Sequence, residues 1–132
     1  MKFYIAAWAG SRKMVKELMS RIEAMGHEIT VDWTDLLGIP KPERDQHQEA
    51  VREVAVRDIN GVLAADVLVL FSEPDDGGGR YVELGAAIAS HMQRGKPEIF
   101  IVGDKTSQSL FYYHDSVIRL KTIEEVFQRC GC

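Results

Sequence analysis

Cysteine is scarce in this chain, with Cys130 and Cys132 near the C-terminus the only two among 132 residues. A small extracellular scaffold stapled by several disulfides is thereby excluded, and the pair reads as free thiols in a reducing cytoplasm. Two thiols do not make a zinc site, and His27, His47, His91 and His114 show no ligand spacing, so no metal is expected. No Gly-x-Gly-x-x-Gly follows the first strand-like segment, which argues against a dinucleotide site and leaves no cofactor to expect. Basic runs are also absent. With a net charge of −4 and no block of Lys or Arg, a nucleic-acid polymer is an unexpected partner. No apolar run is long enough to cross a membrane, and Met1 leads straight into Lys2-Phe3-Tyr4-Ile5-Ala6-Ala7, so neither a span nor a signal peptide is expected. No linker or low-complexity stretch divides the chain, so one domain over 1–132 and a cytoplasmic location are the expectations.

What is present is an alternation of periods. Phe3–Ala7 reads as a short buried strand, and Trp8-Ala9-Gly10-Ser11 as a turn with Ser11 as N-cap. Met14, Val15, Leu18, Met19, Ile22 and Met25 recur at helical spacing, and Gly26 ends that helix. Glu28–Trp33 alternates as a strand, and Thr34–Pro42 is a loop. Glu43 to about Leu63 reads as helical, with apolar positions Ala50, Val51, Val54, Ala55 and Val62. Val67–Phe71 is a third strand, followed by glycines and a helix from Tyr81. Pro97–Val102 is a fourth strand, and a polar loop over 103–113 leads to a fifth at Val117–Leu120. Thr122 caps a last helix, Ile123–Arg129, with Glu125 at the capping-box position. Strands separated by helices imply right-handed crossovers. The expected fold is α/β, a flavodoxin-like three-layer sandwich with a five-stranded, mostly parallel sheet.

Glu83 stands out against this pattern. It is the only charge between Val82 and Ser90, one turn into an apolar helix that leaves the Val67–Phe71 strand. A lone carboxylate there is costly unless it is paired or held by a ligand. In open α/β sheets, ligands bind beyond the carboxyl ends of the strands, which is where this helix begins. Asp58 is the second signal. It falls on the stripe of Val51, Val54, Ala55 and Val62, on the helix that feeds the same strand. Loosening of that helix at Asn60-Gly61 would instead make Asp58 a partly solvated structural residue. Two carboxylates converging on a crevice suit chemistry at an acetal-like carbon, one attacking or stabilising the anomeric centre and the other positioning the sugar or handling a proton. Asp75 and Asp76 precede the glycines and can face the same crevice, although solvated turn residues are the commoner outcome.

Three segments carry a resemblance. They are Phe3-Tyr4-Ile5-Ala6-Ala7-Trp8-Ala9-Gly10, then Arg57-Asp58-Ile59-Asn60-Gly61-Val62-Leu63-Ala64-Ala65-Asp66, then Asp76-Gly77-Gly78-Gly79-Arg80-Tyr81-Val82-Glu83-Leu84-Gly85 with Gly95-Lys96-Pro97 beyond. In order and spacing they resemble the nucleoside 2-deoxyribosyltransferases and the related 2'-deoxynucleoside 5'-monophosphate N-glycosidases. The resemblance implies that Glu83 is a nucleophile at C1' of a nucleoside, that Asp58 contacts the sugar or leaving base, and that Trp8 borders the base. It also implies a homodimer or larger homo-oligomer, in which a polar residue on the loop after the fourth strand reaches a neighbour's pocket; Ser107, Ser109, Tyr112 and His114 are the candidates. Gly10, Asp76, Gly77 and Gly79 are the expected backbone and side-chain lining. The extra glycine of the turn and Arg80 depart from the family pattern.

A 5'-phosphate, if the substrate carries one, could be held by Ser11 and Arg12 at the first helix N-terminus, with Gly77–Arg80 as a second such place. Ser11 as a plain cap and Arg12 as a solvated residue are the structural alternative. Two readings compete with an enzyme acting on a small nucleoside or nucleotide. One is a flavodoxin-like nucleotide-binding module without chemistry; the other is an oligomer in which Glu83 is merely paired with Arg80 or Arg57.

Overall fold

A computed structural model of the chain describes residues 1–35 and 38–132; positions 36 and 37 of the expected Thr34–Pro42 loop lie outside the described residues. Five strands, β1 (Lys2–Ala6), β2 (Glu28–Ile29), β3 (Val67–Phe71), β4 (Glu98–Val102) and β5 (Val117–Leu120), form one sheet in the order β2-β1-β3-β4-β5. Every adjacent pair is parallel, with Phe3 opposite Val67 and Val67 opposite Glu98. The helices are α1 (Arg12–Ala24), α2 (Gln48–Ala64), α3 (Gly79–Arg94) and α4 (Ile123–Cys130). This is the expected flavodoxin-like sandwich.

Period-two alternation divides the core. Phe3, Ile5, Val67, Val69, Phe100 and Val102 pack on one face with Val15, Leu18, Met19 and Ile22 of α1 and Val126 and Phe127 of α4. Tyr4, Ala6, Leu68, Leu70, Ile99 and Ile101 pack on the other with Val62 of α2 and Leu84 and Ala87 of α3. Both faces of the sheet are covered, which is why β3 and β4 read as continuous apolar runs rather than alternating ones. Burying each large side chain of this kind contributes about 1.5–3 kcal/mol. The expected capping box closes α4: Thr122 Oγ1 accepts from the Glu125 amide at 3.3 Å, and the Glu125 carboxylate accepts from the Thr122 amide at 2.9 Å.

Three local expectations are corrected. The second strand is two residues long, not six, because the chain turns off after Thr30, whose amide still donates to Phe3 O at 2.9 Å. From there Trp33 substitutes a side chain for the ladder, its indole N–H donating to Ile5 O at 2.8 Å. The second helix begins at Gln48 rather than Glu43, since Lys41–Gln46, with Pro42 near its start, winds as a tighter 3-10 turn that breaks at His47. Finally, α2 does not loosen at Asn60-Gly61. Gly61 is buried, and a Cβ there would collide with Val31 and lie 3.2 Å from the Tyr4 ring. Glycine at this point lets α2 lie close on β1.

β3 occupies the centre of the sheet. Successive connections leave β1 toward β2 on one side and β3 toward β4 and β5 on the other. The strand order therefore reverses between β1 and β3, and their carboxyl ends bound the crevice where open α/β sheets take ligands. Trp8–Ser11 follows β1 into it and Ser72–Gly78 follows β3.

Candidate active site

Glu83 lies one turn into α3, on the side of the sheet that Tyr4 faces. The Tyr4 hydroxyl, fully buried on β1, donates to Glu83 Oε2. Burial pushes the Glu83 carboxyl up to about 7 from its ordinary 4.5; the Tyr4 hydrogen bond works against this shift, and the negative charge of Asp58 adds to it. Tyr4 is held far above its ordinary range by burial and by Glu83, so its proton stays on the phenol. The result is a half-buried carboxylate with a fixed donor and no cation on it among the described residues.

Asp58 reaches the same place from α2. Its charge acts on both Glu83 and Tyr4. Arg57 holds it, with Nε and Nη2 donating to Asp58 Oδ1 at 3.0 and 2.8 Å. The apolar stripe on which Asp58 was placed does not face the core along its length. Val54 and Ala55 are exposed, and among the described residues of α2 only Gly61 and Val62 are buried, so the first half of α2 offers its apolar side outward. Arg57 and Arg80, the cations that could have neutralised Glu83, are committed elsewhere: Arg57 to Asp58, and Arg80 to Asp75 at 3.2 Å. The reading of Glu83 as an ion-paired structural residue therefore loses both of its partners.

At the carboxyl edge, Trp8 is partly exposed and its indole lies over Gly10, where any Cβ would strike the ring. The same indole approaches Gly77, where a Cβ would sit 3.9 Å from Trp8 Cδ1. Gly77 has φ +75°, a conformation that favours glycine. Trp8 thus spans from the β1 turn to the β3 turn. Gly79 is the first residue of α3, and Asp76 is exposed in the turn before it. Ser11 occupies the N-cap position of α1 as expected, but its hydroxyl makes no capping bond; its amide donates to Trp8 O at 2.9 Å. Arg12 is exposed and makes no ion pair among the described residues.

One expectation for the lining changes, and one candidate residue has a local role. Arg80 is buried at 3% exposure, so it does not offer a guanidinium to a ligand at the α3 N-terminus. Ser109 is used locally, its Oγ accepting from the Phe111 amide at 3.2 Å to start the 3-10 turn Leu110–Tyr113. Asp66 and Gly95-Lys96-Pro97, which helped to carry the resemblance, meet at the opposite edge of the sheet. There Asp66 accepts from the Lys2 amide at 2.8 Å and pairs with Lys96 at 3.6 Å, and Gly95 terminates α3 with φ +77°. Those motif positions build the fold. Tyr4 is the residue of the candidate site that the sequence pattern did not point to, and Arg57 pairs with Asp58 rather than with Glu83. Tyr4, beside Phe3 in a buried strand, gave no signal of its own, whereas an Arg-Asp pair on a helix was the available signal for Arg57.

No protein-family model matches the chain, and no curated protein sequence does. Among solved structures, it is similar to the CMP N-glycosidase BcmB of Clostridium botulinum, with 15% identity and a TM-score of 0.63 over the full length of both chains. At that identity the likeness is one of fold.

Proposed function

We propose that the protein cleaves the N-glycosidic bond of a nucleoside or nucleoside 5'-monophosphate, with Glu83 as nucleophile. The observation that carries this reading is the Tyr4–Glu83–Asp58 arrangement. A carboxylate is desolvated, given one neutral donor and set beside a second carboxylate, on the helix that follows β3. A binding module has no use for an uncompensated carboxylate in such a place. The motif order that resembles the deoxyribosyltransferases and monophosphate N-glycosidases supports it, as does the shared fold with an enzyme that acts on CMP.

In the proposed reaction, a Glu83 oxygen forms a bond to C1' as the C1'–N bond breaks. The bonding electron pair goes to the departing base, which takes a proton from water, leaving a glycosyl ester on Glu83. Water then releases the sugar, or a second base accepts it. Tyr4 holds one carboxylate oxygen so that the other is presented. Asp58, steadied by Arg57, meets the sugar hydroxyls or the leaving base, and Trp8 covers the base. Ser11 and Arg12 are where a 5'-phosphate would rest, since Arg12 is free of other pairing among the described residues.

The active form is proposed to be a homodimer or larger. The outward apolar side of α2, the exposed Val82 and Met92 on α3, and the exposed Leu110, Phe111 and Tyr113 are surfaces a second copy would cover. Incubation with a panel of nucleosides and their 5'-monophosphates, with and without an acceptor base, followed by chromatography, tests the reading. Free base from at least one substrate is expected. Release only from monophosphates would assign Arg12 its role, and no release from any member of the panel would overturn the proposal.

A further inference from the structure

Arg80 is the least explained residue of the glycine turn. It is the second residue of α3, yet it folds back under the turn that precedes it, with its side chain 1% exposed. Nη1 donates to Phe71 O, at the end of β3, at 3.2 Å, and Nη2 donates to Asp75 Oδ1 at 3.2 Å. The Tyr81 hydroxyl donates to the same Asp75 oxygen at 2.6 Å. Tyr81 in turn lies with its ring centroid 5.4 Å from the guanidinium carbon and stacks on buried Tyr112, with centroids 6.1 Å apart. Arg80 Nε and the Tyr112 hydroxyl are both buried without a hydrogen-bond partner among the described residues.

This is a poor way to stabilise a fold. A buried guanidinium whose only carboxylate is partly solvated, and whose third donor is unmet, gains less than an apolar residue of the same length would. What it does achieve is geometric. Asp75 is gripped from two consecutive residues of α3, and Gly77, two residues further along the turn, lies against Trp8. We infer that Arg80, acting with Asp75 and Tyr81, is a positioning residue that clamps the 72–78 turn in the shape that lines the substrate crevice. This rests on the glycosidic reading above only for its catalytic consequence; the clamp itself is a claim about the turn.

The test uses the full-length Arg80→Met and Arg80→Lys variants, read by melting temperature, by hydrogen exchange of the amides of residues 75–79, and by steady-state kinetics on whichever panel substrate releases base. Arg80→Met should melt no lower than wild type while those amides exchange at least about tenfold faster, because the turn opens locally. KM should rise about tenfold with kcat changed by less than about threefold, since Glu83 remains held by α3 and Tyr4. Arg80→Lys, which keeps the charge but not the two-pronged grip, should recover part of both effects. Unchanged exchange and unchanged KM in a stable Arg80→Met overturn the clamp. If Arg80→Met does not fold, Tyr81→Phe and Asp75→Ala at the exposed end of the clamp should loosen the same amides, and wild-type exchange in both overturns it. A wild type that releases no base overturns the glycosidic reading, and the exchange experiment still decides the clamp.

Discussion

Replacing Glu83 with Gln separates catalysis from stability in one protein. The carboxyl is displaced from 4.5 to about 7, chiefly by burial. A folded-state pKa above the unfolded value means that the fold prefers the protonated acid. Its contribution to stability is therefore fully present below about pH 4.5 and is lost as pH rises through 7. At 1.36 kcal/mol per pH unit the swing amounts to about 3 kcal/mol between pH 4.5 and 8. The amide of Glu83→Gln is neutral throughout and still accepts from Tyr4, so the variant should match wild type near pH 5 and exceed it by up to about 3 kcal/mol at pH 8. Glu83→Ala would gain less, because it leaves the buried Tyr4 hydroxyl without its acceptor at a cost of about 1–3 kcal/mol. Both variants should lose turnover by roughly a thousandfold or more, as removal of a covalent nucleophile does. Urea denaturation of wild type and Glu83→Gln at pH 5 and pH 8 is the assay. A stability difference that is the same at both values would refute the reasoning about burial.

The wild-type kcat/KM should rise with pH through about 7, since in the proposed reaction the ionised carboxylate is the attacking form. Tyr4→Phe should slow turnover and move that inflection up, because the Tyr4 hydrogen bond favours the ionised acid, whereas Asp58→Asn should slow it severely and move the inflection down, because a repelling charge is gone. Opposite displacements in pH–rate profiles check this pair, and displacements of the same sign count against it. Gly61→Ala should destabilise the protein by about 1–3 kcal/mol in chemical denaturation, since the new methyl meets Val31 and the Tyr4 ring; a loss of less than about 0.5 kcal/mol would mean that α2 can shift without strain.

The layered fold was legible because β1, β3 and β4 are buried on both faces and are bounded by helices with clear stripes or glycine stops. What failed to read were features set by contacts distant in sequence. The six-residue alternation from Glu28 to Trp33 is real, but only two of its residues pair, since Trp33 takes its hydrogen bond through the indole. Asn60-Gly61 looks like a helix break from propensity alone; packing against Val31 and Tyr4 explains the glycine and keeps the helix intact to Ala64. Of the candidate site, Glu83 and Asp58 were visible as charges in apolar periodicity. Tyr4 was not, because a tyrosine in a core strand declares nothing until its hydroxyl has a partner. Arg80 was misplaced for a related reason: a basic residue at a helix N-terminus suggests an anion site, but its side chain turns inward to Asp75 and Phe71.

The central claim, that Glu83 attacks C1', is tested most directly by trapping the ester. Wild-type protein mixed with a substrate found in the panel, quenched in acid within a turnover and digested, should yield a peptide containing Glu83 that is heavier by one dehydrated sugar (or sugar phosphate), fragmenting at that residue. Glu83→Gln treated alike should yield none. Base release by wild type with no modified peptide at any quench time, or a sugar found on Asp58 or another residue, would contradict the account.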